Sequence, residues 1–288
     1  MTSPRAQSAP TGEVDLHMHS TASDGALPPA QVVAAAHAAG LASIALTDHD
    51  TLDGLPEATL AAKAVGMRVV NGVELSAHDG ANEIHVLVLH VSRFGPLEGR
   101  LASFRGAREV RAQRIVDKLN QIGVPIAIDA VMTEADGGAV GRPHVARALI
   151  KSGKVRDSRE AFDRYLGAGK PAFVEKERLE IREAIEIAHA SGGVAIWAHP
   201  GPDGRRERLE PLVAMGLDGI EVKHPSQNSE DTLRIAALAD FFGLLYSGGS
   251  DWHGAPGGVR AIGGMHVPHA WLDKQDEVVA RRHAAEVS

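Results

Sequence analysis

The chain has 288 residues, with 30 Lys/Arg against 37 Asp/Glu and a formal net charge of −7. At 44% hydrophobic and 23% charged it has the composition of a soluble globular protein, long enough to bury a core without covalent staples. The absence of cysteine excludes a disulfide framework, a thiolate zinc site and a thiol nucleophile, and no apolar run approaches the ~20 residues of a membrane helix. A cytoplasmic protein with no membrane partner is expected. Fifteen histidines stand beside six Phe, three Trp and two Tyr. Histidine titrates near neutrality and is the commonest metal ligand, so where the histidines fall decides what the chain can do.

Residues 1–13 are polar and Pro/Ser-rich, lack the apolar stretch of a secretory signal and are expected to form a disordered tail. Residues 14–17 form a short apolar strand, followed by an Ala-rich helix over 28–39 that Pro28 starts and Gly40 ends. Residues 43–48 are a second buried strand and 55–65 a second helix. Residues 68–75 and 84–91 are β-branched and leucine-rich, as strands covered on both faces are. The rhythm breaks between about 100 and 170, where a long helical pattern over 101–122 precedes shorter ones at 145–150 and 158–165. Alternation then resumes with helix 181–190, strand 193–198, helix 206–215, strand 219–222, helix 230–242 and strand 243–247. The pattern predicts an α/β protein with right-handed βαβ units and a parallel sheet closing into a barrel, built from residues 14–99 and 171–288. Residues 100–170 would be a helical insertion, or cap. The stretch 100–182 holds 17 Lys/Arg against 11 Asp/Glu, so a basic cap would face an acidic barrel, as suits an anionic substrate. Arg105, Arg108, Arg111 and Arg114 also have the spacing of a solvated helix face.

The ligand-type residues collect at strand ends. DLHMHS puts His17 and His19 two apart, on one side of the first strand, and Asp24 follows in a Ser-Asp-Gly turn. TDHD ends the second strand with His49, GVELS the third with Glu74, and EIHVL carries His85. IWAHP ends its strand with His199, and GGSDWHG gives Asp251 and His253. In a parallel barrel these ends meet at one rim. Nine uncompensated polar groups would be costly to bury there, and metal coordination gives them partners. Asp48 is expected to orient an imidazole, and Asp50 and Thr51 to cap the next helix. His37, His78, His90, His189, His266, His269 and His283 fall outside these sets and are assigned surface or structural roles.

The run DLHMHSTASDG, with LTDHDT, GVELS, EIHVL, AHP and GSDWHG, resembles the PHP family, the polymerase-and-histidinol-phosphatase phosphoesterases, over residues 14 to 255. It is most similar to the subgroup that removes the 3′-phosphate from nucleoside 3′,5′-bisphosphates and in some members trims short RNA from its 5′ end. The resemblance implies a distorted (β/α)7 TIM-like barrel and a trinuclear metal site. One ion would take His17, His19, Glu74 and Asp251; a second would share bridging Glu74 and take His85 and His199; a third would take Asp24, His49 and His253. Glu74, Asp251 and His224 would be the catalytic groups, His224 as phosphate ligand or leaving-group acid. Imidazole and carboxylate donors without thiolate suit Mn²⁺ first, with Fe²⁺ or Zn²⁺ as alternatives, and two to three ions are expected.

Substrate contacts are expected from Arg142 and His144 in GRPH, from Lys170 in GKPAF, and from Lys223 and His224 in EVKHPS. The GRPH segment reads equally as a loop-to-helix start. The expected partner is a small phosphorylated nucleotide or short oligonucleotide, not long duplex nucleic acid, since nothing extended and basic lies outside the insertion. Oligomeric state is left open. Two alternatives remain: another phosphomonoesterase of the family, such as a histidinol-phosphate phosphatase, and a barrel C–N hydrolase or metal-storing regulatory subunit. A C–N hydrolase would call for a bridging Lys at a mid-barrel strand end, and none is present there.

Overall fold

The computed structural model describes residues 12–135, 140–175, 178–254, 258 and 260–287. Residues 1–11, the bulk of the expected tail, lie outside them, whereas Glu13 already belongs to the first strand. In chain order the elements are β1 (Glu13–Asp15), α1 (Pro29–Ala38), β2 (Ser43–Leu46), α2 (Leu55–Val65), β3 (Arg68–Asp79) and β4 (Asn82–Leu89). There follow α3 (Phe94–Gln121), α4 (Ile128–Ala135), α5 (Arg142–Lys151), α6 (Ser158–Ala161) with a π-turn over Phe162–Leu166, β5 (Leu179–Glu180) and α7 (Ile181–Ala190). The chain ends with β6 (Val194–Trp197), α8 (Arg206–Ala214), β7 (Gly219–Lys223), α9 (Ser229–Phe242), β8 (Leu245–Gly248), β9 (Val267–Pro268) and α10 (His269–Val287). Two compact units result, one from the residues up to Glu98 together with those from Leu179 onward, the other spanning Gly99–Arg178.

In the first unit the strands form one sheet in the order β8-β7-β6-β4-β3-β2-β1-β9, with β5 beside β3. The chain beyond β1 donates Leu16 N–H to Gly248 O at 3.1 Å and pairs Met18 with Trp252, which nearly closes the sheet into a barrel. Three pairings are antiparallel, against the all-parallel expectation: β3–β4, β4–β6 and β1–β9. The cause is local. Only Gly80 and Ala81 separate β3 from β4, and a parallel return needs a dozen residues or more. Val14, Leu16, Leu87, Leu89, Val194 and Ile196 supply an apolar core cluster that also takes in Leu272 of α10.

Helix α9 begins where Asn228 accepts the Asp231 N–H at 2.9 Å while the Asp231 carboxylate takes the Asn228 N–H, a reciprocal cap. Helix α10 packs Leu272, Trp271, Val278 and Val279 on that apolar core, and polar contacts fasten it further. Asp276 takes both Arg68 guanidinium nitrogens at 2.6 Å, and Gln275 donates to Tyr246 O at 2.8 Å. In the second unit, Ile115, Leu119, Val131, Val145, Leu149 and Leu166 are buried together. Several of its charges pair locally, Arg156 and Arg164 with Glu160 and Lys151 with Glu134. Among the described residues no helix is long and apolar enough to cross a membrane.

Candidate metal centre

The strand ends are brought together by close packing and buried carboxylates. His17 and His19 follow β1, two apart, and both are fully buried. At Gly249 a Cβ would lie 2.4 Å from His17 Cβ, so only glycine lets the segment leading to Asp251 pass β1 this closely. Asp15 fastens the same segment, accepting Ser250 N–H at 2.8 Å and Gly263 N–H at 3.1 Å. Asp48 accepts Ser20 N–H and Ser20 Oγ–H at 2.7 Å and Ser23 Oγ–H at 2.8 Å, so it pins the turn that carries Asp24 and orients no imidazole. Asp50 and Thr51 do not cap α2 either. Gly54 holds the cap position, while Asp50 Oδ1 accepts Ser76 N–H at 3.0 Å from β3. His199 and Asp251 have φ of +32° and +50°, left-handed conformations in which L residues are strained.

Glu74 is the hub. Its Oε2 lies 3.1 Å from His17 Nε2, 3.2 Å from His19 Nε2 and 3.3 Å from His49 Nδ1. Its Oε1 lies 2.8 Å from His85 Nδ1 and 2.9 Å from His199 Nε2. The two oxygens therefore face separate imidazole sets. The antiparallel course of β4 is what brings His85, near the start of that strand, opposite Ser76 and beside Glu74. Asp251 is divided in the same way: Oδ1 is 3.1 Å from His19 Nε2 and 3.5 Å from His253 Nδ1, while Oδ2 faces His224 Nε2 at 3.2 Å. Asp24 reaches His253 Nε2 at 3.3 Å, and His19 Nδ1 and His49 Nε2 at 3.9 Å. His17, His19, Glu74 and Asp251 form one group of mutually close donors; His49, Glu74 and His85 a second; His19, Asp24, His49 and His253 a third. All nine residues expected to hold metal are thus brought together, and His49, Glu74, His85, His199, Asp251 and His253 line a cavity of about 340 Å³.

Burial alone would raise the pKa of Glu74, but the facing His17, His19 and His199 hold it well below the ordinary carboxylate range. Asp251 is lowered likewise, burial being outweighed by His19 and His224. Burial disfavours charge on His17, yet the facing Glu74 and Glu221 raise its pKa well above normal. His49 goes the other way, lowered chiefly by burial. His19 tests what the pocket is built for. It is fully enclosed, yet neither ring nitrogen makes a hydrogen bond among the described residues, although carboxylate oxygens of Glu74 and Asp251 lie 3.2 and 3.1 Å from Nε2. An unsatisfied buried polar atom is costly, and a cation would satisfy the lone pair and the oxygens together. An all-imidazole and carboxylate donor set suits a divalent transition ion, so the residues present fit one.

Other expected residues lie elsewhere. Lys223, next to His224 on an alternating strand, points away: its Nζ donates to His266 O at 2.6 Å and lies 5.5 Å from the Trp271 ring centre. This corrects its expected place in the site. In the second unit His144 is third in α5 and its Nδ1 accepts the Gly141 N–H at 2.9 Å, a helix-capping contact. Arg142 donates to Leu166 O at 3.2 Å, flanked by the rings of Phe162 and Phe173. Lys170 is exposed in the turn after the π-turn. Three groups escaped the sequence. Glu221, fully buried in β7, holds His17 Nδ1 at 3.1 Å; a charge inside the apolar run GIEVK was its signal. Ser226 Oγ lies 2.7 Å from His224 Nδ1, and Arg260 Nη1 lies 2.5 Å from Asp251 Oδ2; neither carried a signal. Of the remaining histidines, His90 meets Gln275, His189 meets Asp218 and His269 meets Asp273, all structural contacts.

The PHP domain pattern matches residues 15–105. A 5′-3′ exoribonuclease of Haemophilus influenzae is 43% identical over 249 residues, 84% of this chain and 90% of that one. A 3′,5′-nucleoside bisphosphate phosphatase of Chromobacterium violaceum is 38% identical over 257 residues, 87% of this chain and 90% of that one. A solved structure described as a metal-dependent phosphoesterase from Bifidobacterium adolescentis matches with a TM-score of 0.70 and 31% identity, covering 92% of this chain and 96% of that one. Fold and donor set together define a class, the TIM-like barrels whose rim gathers imidazole and carboxylate donors for metal. Within that class the chain belongs to the PHP family.

Proposed function

We propose that the protein is a metal-dependent phosphoesterase that removes the 3′-phosphate of nucleoside 3′,5′-bisphosphates and trims short 5′-phosphorylated RNA from its 5′ end. The observation that carries this reading is Glu74, buried and facing five imidazoles through two differently occupied oxygens, in a chain 38% identical to a nucleoside bisphosphate phosphatase and 43% identical to an exoribonuclease. His17, His19, Glu74 and Asp251 would hold one ion, Glu74, His85 and His199 a second, and Asp24, His49 and His253 a third, with manganese the first metal to test. When bound, such ions supply Lewis acidity toward phosphoryl oxygens and a water-derived nucleophile at neutral pH.

The chain's own groups do the rest. Glu74 keeps the donors of five segments in register, and Asp15 and Asp48 hold the segments that carry Asp251 and Asp24. His224 Nδ1 lies 2.7 Å from Ser226 Oγ, and its Nε2 faces Asp251 and the cavity. As the imidazolium, with its Nδ1–H donated to Ser226 Oγ, His224 would give the Nε2 proton to the departing sugar oxygen and be left as the neutral ring. Arg142 and Lys170 are the residues proposed for the second phosphate of the substrate. Product analysis by phosphorus NMR on adenosine 3′,5′-bisphosphate with Mn²⁺ tests the whole scheme. Adenosine 5′-monophosphate is expected, and chelation should abolish turnover. Adenosine 3′-monophosphate as main product overturns the orientation, and turnover of histidinol phosphate alone overturns the substrate class.

A further inference from the structure

The cavity beside Glu74 is lined by imidazoles and carboxylates with a single Lys/Arg among its lining residues, Arg260. Among the described residues, every hydrogen bond and ion pair of this guanidinium runs through one nitrogen. Nη1 lies 2.5 Å from Asp251 Oδ2, donates to Asp251 O at 3.1 Å and lies 3.4 Å from His253 Nδ1. Nε and Nη2 make no hydrogen bond or ion pair among the described residues, and the side chain is 45% exposed. An arginine carries five N–H donors in a rigid fork. Here Nη1 is held by the carboxylate and the carbonyl of Asp251, and among the described residues the other three N–H groups, which include an edge able to grip two oxygens at once, make no hydrogen bond or ion pair.

We infer that Arg260 binds an oxygen of the phosphoryl group that reacts in this cavity. The inference rests on the phosphoesterase function proposed above and adds a residue to it. Three features converge on this role. A phosphoryl group brings negative charge into a cavity whose own carboxylates repel it, so a fixed cation is needed there. Guanidinium geometry matches two phosphoryl oxygens, which an ammonium cannot do. And Asp251, by anchoring Nη1 through its side chain and its own carbonyl, removes the rotational freedom that a long side chain would otherwise lose on binding. Asp251 thus divides its oxygens: Oδ1 faces the histidines of the metal cluster, and Oδ2 faces His224 and aims the arginine. One carboxylate therefore positions both the arginine and the histidines that would hold the ions.

The test compares Arg260→Ala and Arg260→Lys with the wild type, each loaded with Mn²⁺. Manganese content is measured by elemental analysis, inorganic phosphate binding by calorimetry, and kinetics on adenosine 3′,5′-bisphosphate and on a chromogenic phosphomonoester. Both variants should keep wild-type manganese content. Arg260→Ala should weaken phosphate binding roughly ten- to a hundred-fold, with Arg260→Lys recovering only part of it. Because the reacting group is common to both substrates, kcat/KM should fall equally on the two. Unchanged phosphate affinity in Arg260→Ala overturns the inference. So does manganese lost in Arg260→Ala and regained in Arg260→Lys, which would make Arg260 only a charge partner of Asp251. A loaded wild type that neither binds phosphate nor hydrolyses either ester overturns the proposed function itself, a result separate from wild-type turnover beside an unaffected Arg260→Ala.

Discussion

Glu221 serves two histidines with one carboxylate: Oε1 lies 3.1 Å from His17 Nδ1, and Oε2 accepts the His199 N–H at 2.7 Å. With Nδ1 held, His17 turns Nε2 toward Glu74, the orientation a metal-ligating imidazole requires. Glu221→Gln can satisfy one of the two histidines but not both, since an amide has one acceptor oxygen. Metal affinity should fall about ten- to a hundred-fold, measured by competition with a chromophoric chelator. The metal-free protein should melt as a folded domain. Unchanged affinity would remove Glu221 from the site.

Glu74→Gln should be the more damaging change. Its two oxygens face different imidazole sets, so one substitution weakens both together. If the loss of an outer partner costs about ten- to a hundred-fold, the loss of this shared carboxylate should exceed about a hundred-fold in kcat/KM and lower the number of ions retained after dialysis. Wild-type metal content in Glu74→Gln contradicts the shared role.

Much of this centre was legible because the chemistry is written in doublets. His17 with His19, and Asp251 with His253, announce themselves by alternation just beyond the short strands β1 and β8. What stayed hidden depends on partners far away in sequence. Asp48 reads as an imidazole partner until its contacts with Ser20 and Ser23 are visible. Lys223 and His224 are neighbours in the chain, but one faces Trp271 and the other Asp251. The direction of β4 was written in the short connection after β3, and alternation with helices masked it. Strands β5 and β9 span two residues each, too few for any period to show.

Asp218 links acid stability to the barrel's outer layer. Its carboxylate accepts the Ala195 N–H and pairs with His189 and with the Arg282 guanidinium of α10. Burial would raise its pKa, but His189 and Arg282 lower it overall. A carboxyl lowered in the folded state adds stability above its unfolded value of about 3.9, and that stability is lost as pH falls through the folded value. Asp218→Asn should therefore cost about 1–2 kcal/mol near pH 7, the lower part of the range because Arg282 stays partly hydrated. Urea unfolding should show the gap to wild type narrowing below pH 4. A gap independent of pH would assign the effect to packing.

Arg142→Ala separates the two phosphates of a bisphosphate. The side chain is flanked by Phe162 and Phe173 and uses Nη1 on Leu166 O. Its loss should raise KM for adenosine 3′,5′-bisphosphate roughly ten- to a hundred-fold and leave a small chromogenic monoester nearly unaffected. Equal losses on both substrates would assign Arg142 to the reacting phosphate.

The left-handed backbone at His199 and Asp251 sets two selective pressures against each other. Each position holds a side chain the site needs in a conformation that glycine or asparagine adopts more easily, at a cost of order 1 kcal/mol or more. Substitutions sought for heat resistance alone would drift there toward Gly or Asn, and the fold would tolerate them while the donor set lost a member. An engineered variant selected only for melting temperature would thus lose its chemistry at these two strand ends, where the protein gives up thermal robustness for catalysis.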